Sequence, residues 1–129
     1  SYYFPIETIS IPDIKGNKAN YIYSKTYTGN GKLYGYFNVP GYVSNPPDYV
    51  NDKSMQTFEI DVYNKTVKKM NFDGTTGWSC SQCKAGDYMV FGMASTQGTG
   101  YYLYNYKEDK YEPLKIKTEG NPLKIQYLK

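Results

Sequence analysis

"NYIYSKTYTGNGKLYGYFNV", residues 20–39, decides the fold. Its first half alternates, placing Tyr21, Tyr23 and Tyr27 on one face with Lys25 among them. "TGNG" follows, and Gly and Asn tolerate the positive φ that a tight hairpin turn demands. The second half alternates again, with Leu33, Phe37 and Val39 opposite Tyr34 and Tyr36. Two aromatic, β-branched runs about a Gly-Asn turn predict a β-hairpin over residues 20–39.

The same signals extend in both directions. "ETISI" alternates, with Ile9 and Ile11 on one face, until Pro12 and "KGNK" break it. "TFEIDVY" puts Phe58, Ile60 and Val62 inward and Thr57, Glu59 and Asp61 outward; "NK" turns the chain and "TVKKMNF" returns. "DYMVFGM" is a continuous apolar run, as expected of a central strand covered on both faces. "YYLYNYK", "YEPLKIKT" and "LKIQYLK" complete eight to ten strands, with no helix longer than a turn. Phe58, Ile60, Val62, Met89, Phe91, Leu103, Leu114, Ile116 and Ile125 are the expected core. The fold class is therefore all-β, an antiparallel β-sandwich or small barrel, formed by residues 1–129 as a single domain.

Residues 58–72, "FEIDVYNKTVKKMNF", align without gaps to residues 102–116, "YLYNYKEDKYEPLKI", at an offset of 44. Each copy reads as strand, polar turn, strand. That spacing is the blade length of a β-propeller. Two amphipathic hairpins match this way from period two alone. The first 50 residues hold no third copy, and closure needs at least four blades. A partial, propeller-like repeat of hairpin units is thus the alternative architecture.

Composition narrows function. The 17 tyrosines suit thin layers, because a ring can be buried while its hydroxyl stays wet. All 15 basic residues are lysines, with acidic residues among them, and the net charge is +3. Neither a basic stripe nor an Arg fork is present, so nucleic acid is not an expected partner. No apolar run is long enough to span a membrane. The opening "SYYFPIETIS" lacks the basic start and apolar run of a signal peptide. The abundance of Tyr, Gly, Asn and Thr points to an extracellular or cell-surface module.

Catalysis finds little support. His is absent, which removes Ser-His and Cys-His nucleophile pairs and a His general base. "TQGTG" and "TGNG" lack the lysine and helix of a phosphate loop. Paired carboxylates, from Asp48, Asp52, Glu59, Asp61 and Asp73, are the remaining acid–base option, that of a small hydrolase. The expectation is a protein that is not an enzyme, with no catalytic residues and no cofactor.

"GWSCSQCKAG", residues 77–86, holds the single tryptophan and both cysteines. A structural zinc needs four ligands; Cys80 and Cys83 supply two, Asp87 could be a third, and a fourth is missing. A redox pair needs its first Cys at a helix N-terminus, and no helix is read here. The remaining readings are a local disulfide or two free thiols, the disulfide being expected of an exported protein. "DGTTG" lacks the later ligands of a calcium loop, so no metal is expected.

The loops carry the binding signal. Residues 40–54, "PGYVSNPPDYVNDKS", and residues 73–87 are longer than a turn requires. Trp78, Tyr42 and Tyr49 lie in them, with Asp48, Asn45 and Asn51 beside two of the rings. Aromatic rings stack on sugar C–H faces while acids and amides bond hydroxyls. These six residues are the candidate ligand-binding set, and the ligand surface is expected where the two loops share an end. The partner is then carbohydrate or another protein. A structural or assembly subunit, oligomerising through strand edges or forming part of a larger β-repeat, is the alternative. Asn64-Lys65-Thr66 is a glycosylation sequon at a predicted turn.

Overall fold

The computed structural model describes residues 11, 14–19, 21–112 and 116–117. The first sheet is an antiparallel meander of β1 (Tyr21–Gly29), β2 (Lys32–Asn38), β3 (Met55–Asp61) and β4 (Thr66–Lys69), in that order. The second repeats the plan with β5 (Cys80–Ala85), β6 (Tyr88–Ser95), β7 (Gly98–Asn105) and β8 (Lys110–Tyr111); the short β9 (Ile116–Lys117) also pairs with β7. Helical structure among the described residues is limited to the 3-10 turns Lys15–Asn17 and Pro40–Tyr42. The two sheets pack face to face, so the all-β sandwich expected from the alternating runs is the architecture found.

The hairpin of residues 20–39 forms as its turn chemistry dictates. Asn30 and Gly31 take φ of 55° and 75°, the left-handed pair that matches strand twist. The register shifts twice, between Ile22 and Ser24, where Tyr23 is the extra residue of a bulge, and again between Tyr27 and Gly29 beside the turn. Ile22 therefore pairs with Phe37 on the outer face of the sheet, while Ser24 pairs with Tyr36 on the inner face. The bulge separates the tyrosines that alternation placed together. Tyr21 pairs with Asn38 on the inner side, whereas Lys25 and Tyr27 turn outward with Gly35 and Leu33.

The core has two layers. Between the sheets lie Tyr34, Tyr36, Met70, Phe72, Met89, Phe91, Met93, Tyr102 and Tyr104. On the far side of the first sheet, Ile11, Ile14 and Ala19 cover Phe37, Phe58 and Ile60, with the Phe37 and Phe58 rings stacked at 4.5 Å. The sheets come closest at β1 and β5, where Gln82 Nε2 donates to Ser24 Oγ at 3.1 Å. Away from that seam the gap is filled by rings, including Tyr34 against Tyr104 at 5.7 Å and Phe72 against Tyr111 at 4.9 Å.

Phe58, Ile60, Met89 and Phe91 are buried as expected, and Val62 is half-buried against the outer layer. Leu103 is a correction. It lies half-buried on the outer face of the second sheet, while Tyr102 and Tyr104 point inward, opposite Phe91 and Met89. A ring with a bonded hydroxyl can take a core position: Tyr104 Oη donates to Asp109 Oδ1 at 2.6 Å. Glu59 and Asp61 are also corrected, since their face of β3 looks toward the second sheet rather than open solvent. Ile116 falls in β9; Leu114, Ile125, Ile9 and the "LKIQYLK" run lie outside the described residues.

The two sheets are copies of one design. In the β3–β4 turn, Asp61 Oδ1 accepts from the amides of Tyr63 and Asn64. In the β7–β8 turn, Asn105 Oδ1 accepts from those of Lys107 and Glu108. Lys65 and Asp109, 44 residues apart, share φ of 55° and 53°. The amide of Val62 bonds Gly31 O, and the amide of Tyr106 bonds Asp87 O, so the first two strands correspond at an offset of 56. The difference of 12 is loop. Ser95 and Gly98 are joined through Thr96 and Gln97 alone, whereas the corresponding Val39 and Ser54 are joined through residues 40–53.

Candidate functional site

The inserted loop is held by its own carboxylates. Asp52 Oδ2 accepts from the Ser44 amide at 2.9 Å, Ser44 Oγ at 3.0 Å and the Asp48 amide at 3.0 Å. Asp48 in turn accepts from the Val50 and Asn51 amides and from Asn51 Nδ2. The Asn51 side chain lowers the pKa of Asp48, and the Ser44 amide lowers that of Asp52. Hydrogen bonds of this kind favour the charged form, so both carboxylates stay ionised in mild acid. The result is an ordered projection with Tyr49 at its tip.

The linker from β4 to β5 is pinned to both sheets by Thr75. Its amide and carbonyl pair with Met55 at 2.8 and 3.1 Å. Its hydroxyl accepts from the Ala94 amide at 2.8 Å and lies 2.7 Å from Ser79 O, to which it donates. Gly74 is required there, because a Cβ would fall 2.0 Å from Gln56 Nε2 and 2.5 Å from Lys53 O. Trp78 projects from this anchored segment.

Loop and linker meet at one end of the sandwich. Val43, Tyr49 and Asp52 face Gly77 and Trp78 across a groove of about 490 Å³, with Tyr21, Asn38, Ser54 and Met55 completing its walls and floor. Three aromatic rings stand open to solvent: Tyr49 at 72% exposure, Trp78 at 59% and Tyr21 at 49%. A large ring that is mostly exposed on a hydrogen-bonded scaffold is not a plug for the core.

Of the six candidates, Tyr49 and Trp78 line this groove. Asp48 and Asn51 shape the loop that carries Tyr49. Tyr42 does not join them; its 3-10 turn packs it half-buried against the outer layer of the first sheet. Asn45 is exposed beside the cis Asn45–Pro46 peptide and is not part of the groove lining. Tyr21 and Asp52 are the additions. Tyr21 was hidden within a strand run, and only the bulge turns it toward Trp78.

The cysteines are free thiols, which corrects the expected disulfide. Residues 80–85 form a regular strand, so positions three apart project from opposite faces. Cys80 packs between the sheets, and Cys83 lies on the outer face of the second. Burial pushes Cys80 up to about 11, against a hydrogen bond from Tyr23, and burial also raises Cys83. Neither is a low-pKa nucleophile. Intact mass is expected to show both cysteines reduced, with a thiol reagent labelling Cys83 in the folded protein and Cys80 only after unfolding. Simultaneous labelling of both would contradict their placement on opposite faces.

The remaining carboxylates serve the scaffold. Glu59 meets Lys32 at 3.3 Å and accepts from Tyr34 Oη at 2.8 Å. The Asn64 amide, its side chain and Lys32 together hold Asp61 down to about 2. Asp73 accepts from Thr96 Oγ1. Among the described residues, no three His, Cys, Asp or Glu side chains are grouped to hold a metal ion, and no helix is long and apolar enough to cross a membrane.

Comparison of the chain with protein-family models, curated proteins and solved structures finds no match.

Proposed function

We propose that the chain is a non-catalytic, extracellular or cell-surface recognition module that binds carbohydrate in the groove between Tyr49 and Trp78. One observation carries the reading. A two-residue turn suffices in the second sheet, yet the first sheet spends 12 more residues there, and they present an exposed aromatic opposite another. Irregular segments on a rigid scaffold are where binding groups concentrate. Two rings with an apolar floor suit the C–H faces of a sugar, and Asn38, Ser54 and Asp52 offer the few polar groups that orient a ligand. The non-catalytic part rests on the carboxylates, whose described hydrogen bonds are structural. The exposed sequon residue Asn64 suits an exported protein.

The test is a glycan array followed by calorimetry on the hits, using Trp78→Ala and Tyr49→Ala. Each variant is expected to weaken binding about tenfold or more. Melting temperature should stay within about 2 °C of the parent, as befits exposed residues. Loss of stability in place of binding, or no glycan bound by the parent protein, overturns the reading.

A further inference from the structure

We propose that the two outer faces of the sandwich are complementary halves of one interface, through which a second copy of this chain packs head to tail. The inference is independent of the loop groove and rests on the duplication.

The equivalences show that the sheets do not meet through like faces. Ile60 and Leu33, on the outer face of the first sheet, correspond to Tyr104 and Met89 on the inner face of the second. Tyr34, inner in the first sheet, corresponds to Val90, outer in the second. The existing contact is thus heterologous: the face of one copy of the design packs against the opposite face of the next. Each outer face is the counterpart of a face already buried in this molecule.

Among the described residues, the two outer halves carry the positions that correspond to the buried contact. In the buried contact, Tyr34 sits on Tyr104 and Tyr106, with centroids at 5.7 and 6.4 Å. The corresponding seat on the first sheet is Ile60 and Val62, and there the structure has an open groove of about 640 Å³, walled by Ile22 and Leu33. Among the described residues, Ile11, Ile14 and Ala19 cover another part of that face, and Ile22, Leu33 and Val62 are only partly buried against it. On the second sheet, Val90 holds the position of Tyr34, flanked by its cross-strand partners Cys83 and Leu103 in a half-buried apolar stripe. Val90 of one copy would enter the Ile60–Val62 seat of the next.

The sheets converge at β1 and β5 and are held apart elsewhere by rings, so each step of such a stack fans about the β1–β5 side. Heterologous contacts that fan close into rings when the rotation permits, which is how propeller blades bury their faces.

Sedimentation velocity across a concentration series tests this on the full chain. The expected result is a species above the 14.8 kDa monomer that grows with concentration. Val90→Lys and, separately, Val62→Lys should each return it to monomer with unchanged circular dichroism. In a Cys83→Ser background, mixing Val62→Cys with Val90→Cys protein should give a mixed disulfide dimer. A monomer at all concentrations, or cross-linking of like positions instead, overturns the proposal. If one lysine variant unfolds, the other and the cross-link still decide it.

Discussion

Tyr36→Ala is expected to lower the unfolding free energy by about 3–5 kcal/mol, the range for removing a large buried aromatic ring. Tyr36 is fully buried between the sheets, with its ring edge-on to Phe91 at 5.7 Å. Its hydroxyl lies 2.9 Å from Ser81 O and 3.3 Å from Gly92 O, so it ties β2 to the β5–β6 pair. Truncation leaves a cavity that the sheets cannot close, because Phe72, Phe91 and Tyr102 brace each other at 5.7 and 5.8 Å. Tyr36→Phe keeps the ring and should cost only about 1 kcal/mol, the net worth of a hydrogen bond. Urea unfolding measures both. A Tyr36→Ala loss below about 1 kcal/mol, short of the cavity range, would mean that the sheets are not packed through this residue.

Gly35→Ala is expected to be nearly as damaging, about 3 kcal/mol, the upper part of the overpacking range. The cause is backbone proximity and not φ. A Cβ at Gly35 would lie 2.1 Å from Ser24 O and 3.1 Å from Ser24 C. A carbonyl within a paired strand has no free torsion by which to move, so β1 itself must shift. Its displacement would reach the seam with β5 and the groove wall at Tyr21. Amide exchange should accelerate along β1 and much less in the second sheet. Gly77→Ala is the control: nothing lies within 4 Å of its Cβ position, and it should fall within about 0.5 kcal/mol of the parent. Equal effects at the two glycines would rule out the close approach at Gly35.

Much of the candidate site was legible because it is surplus. The loop of residues 40–54 exceeds what a turn requires, and Tyr49 and Trp78 stand out as aromatics that no strand pattern places in the core. Tyr42 has the same local signature yet packs inward, because the turn at Pro40–Tyr42 brings it over the outer layer of the first sheet. Tyr21 reads as a strand tyrosine like Tyr27, and a single bulge at Tyr23 sends them to opposite sides. The duplication was half legible. The second hairpins align at 44, but the inserted loop moves the first strands to 56, and a gapless comparison cannot follow that change.

The sequence by itself determined the hairpin of residues 20–39, the alternation of β3, the central strand β6 and the polar turns at 64–65 and 108–109. Those features follow from short-range causes: side chains alternate along an extended chain, Asn30 and Gly31 reach positive φ cheaply, and the Asp61 and Asn105 side chains accept from the amides of the other two turns. Tertiary structure alone decided which face of each strand was buried. Phe58 and Glu59 lie on opposite faces of β3, and both faces are covered, one by Ile11 and Ile14, the other by the second sheet. In "YYLYNY" both faces are apolar enough to pack, so alternation offers two registers of similar merit. The choice of Tyr102 and Tyr104 over Leu103 came from Tyr34 and Phe72 meeting them across the gap, with Phe91 beside Tyr102 on the neighbouring strand. The same holds for Cys80 and Cys83, neighbours in the sequence that the strand set on opposite faces. Burial is a property of what arrives from elsewhere in the chain, and period two specifies the pairing of faces without saying which one will be covered.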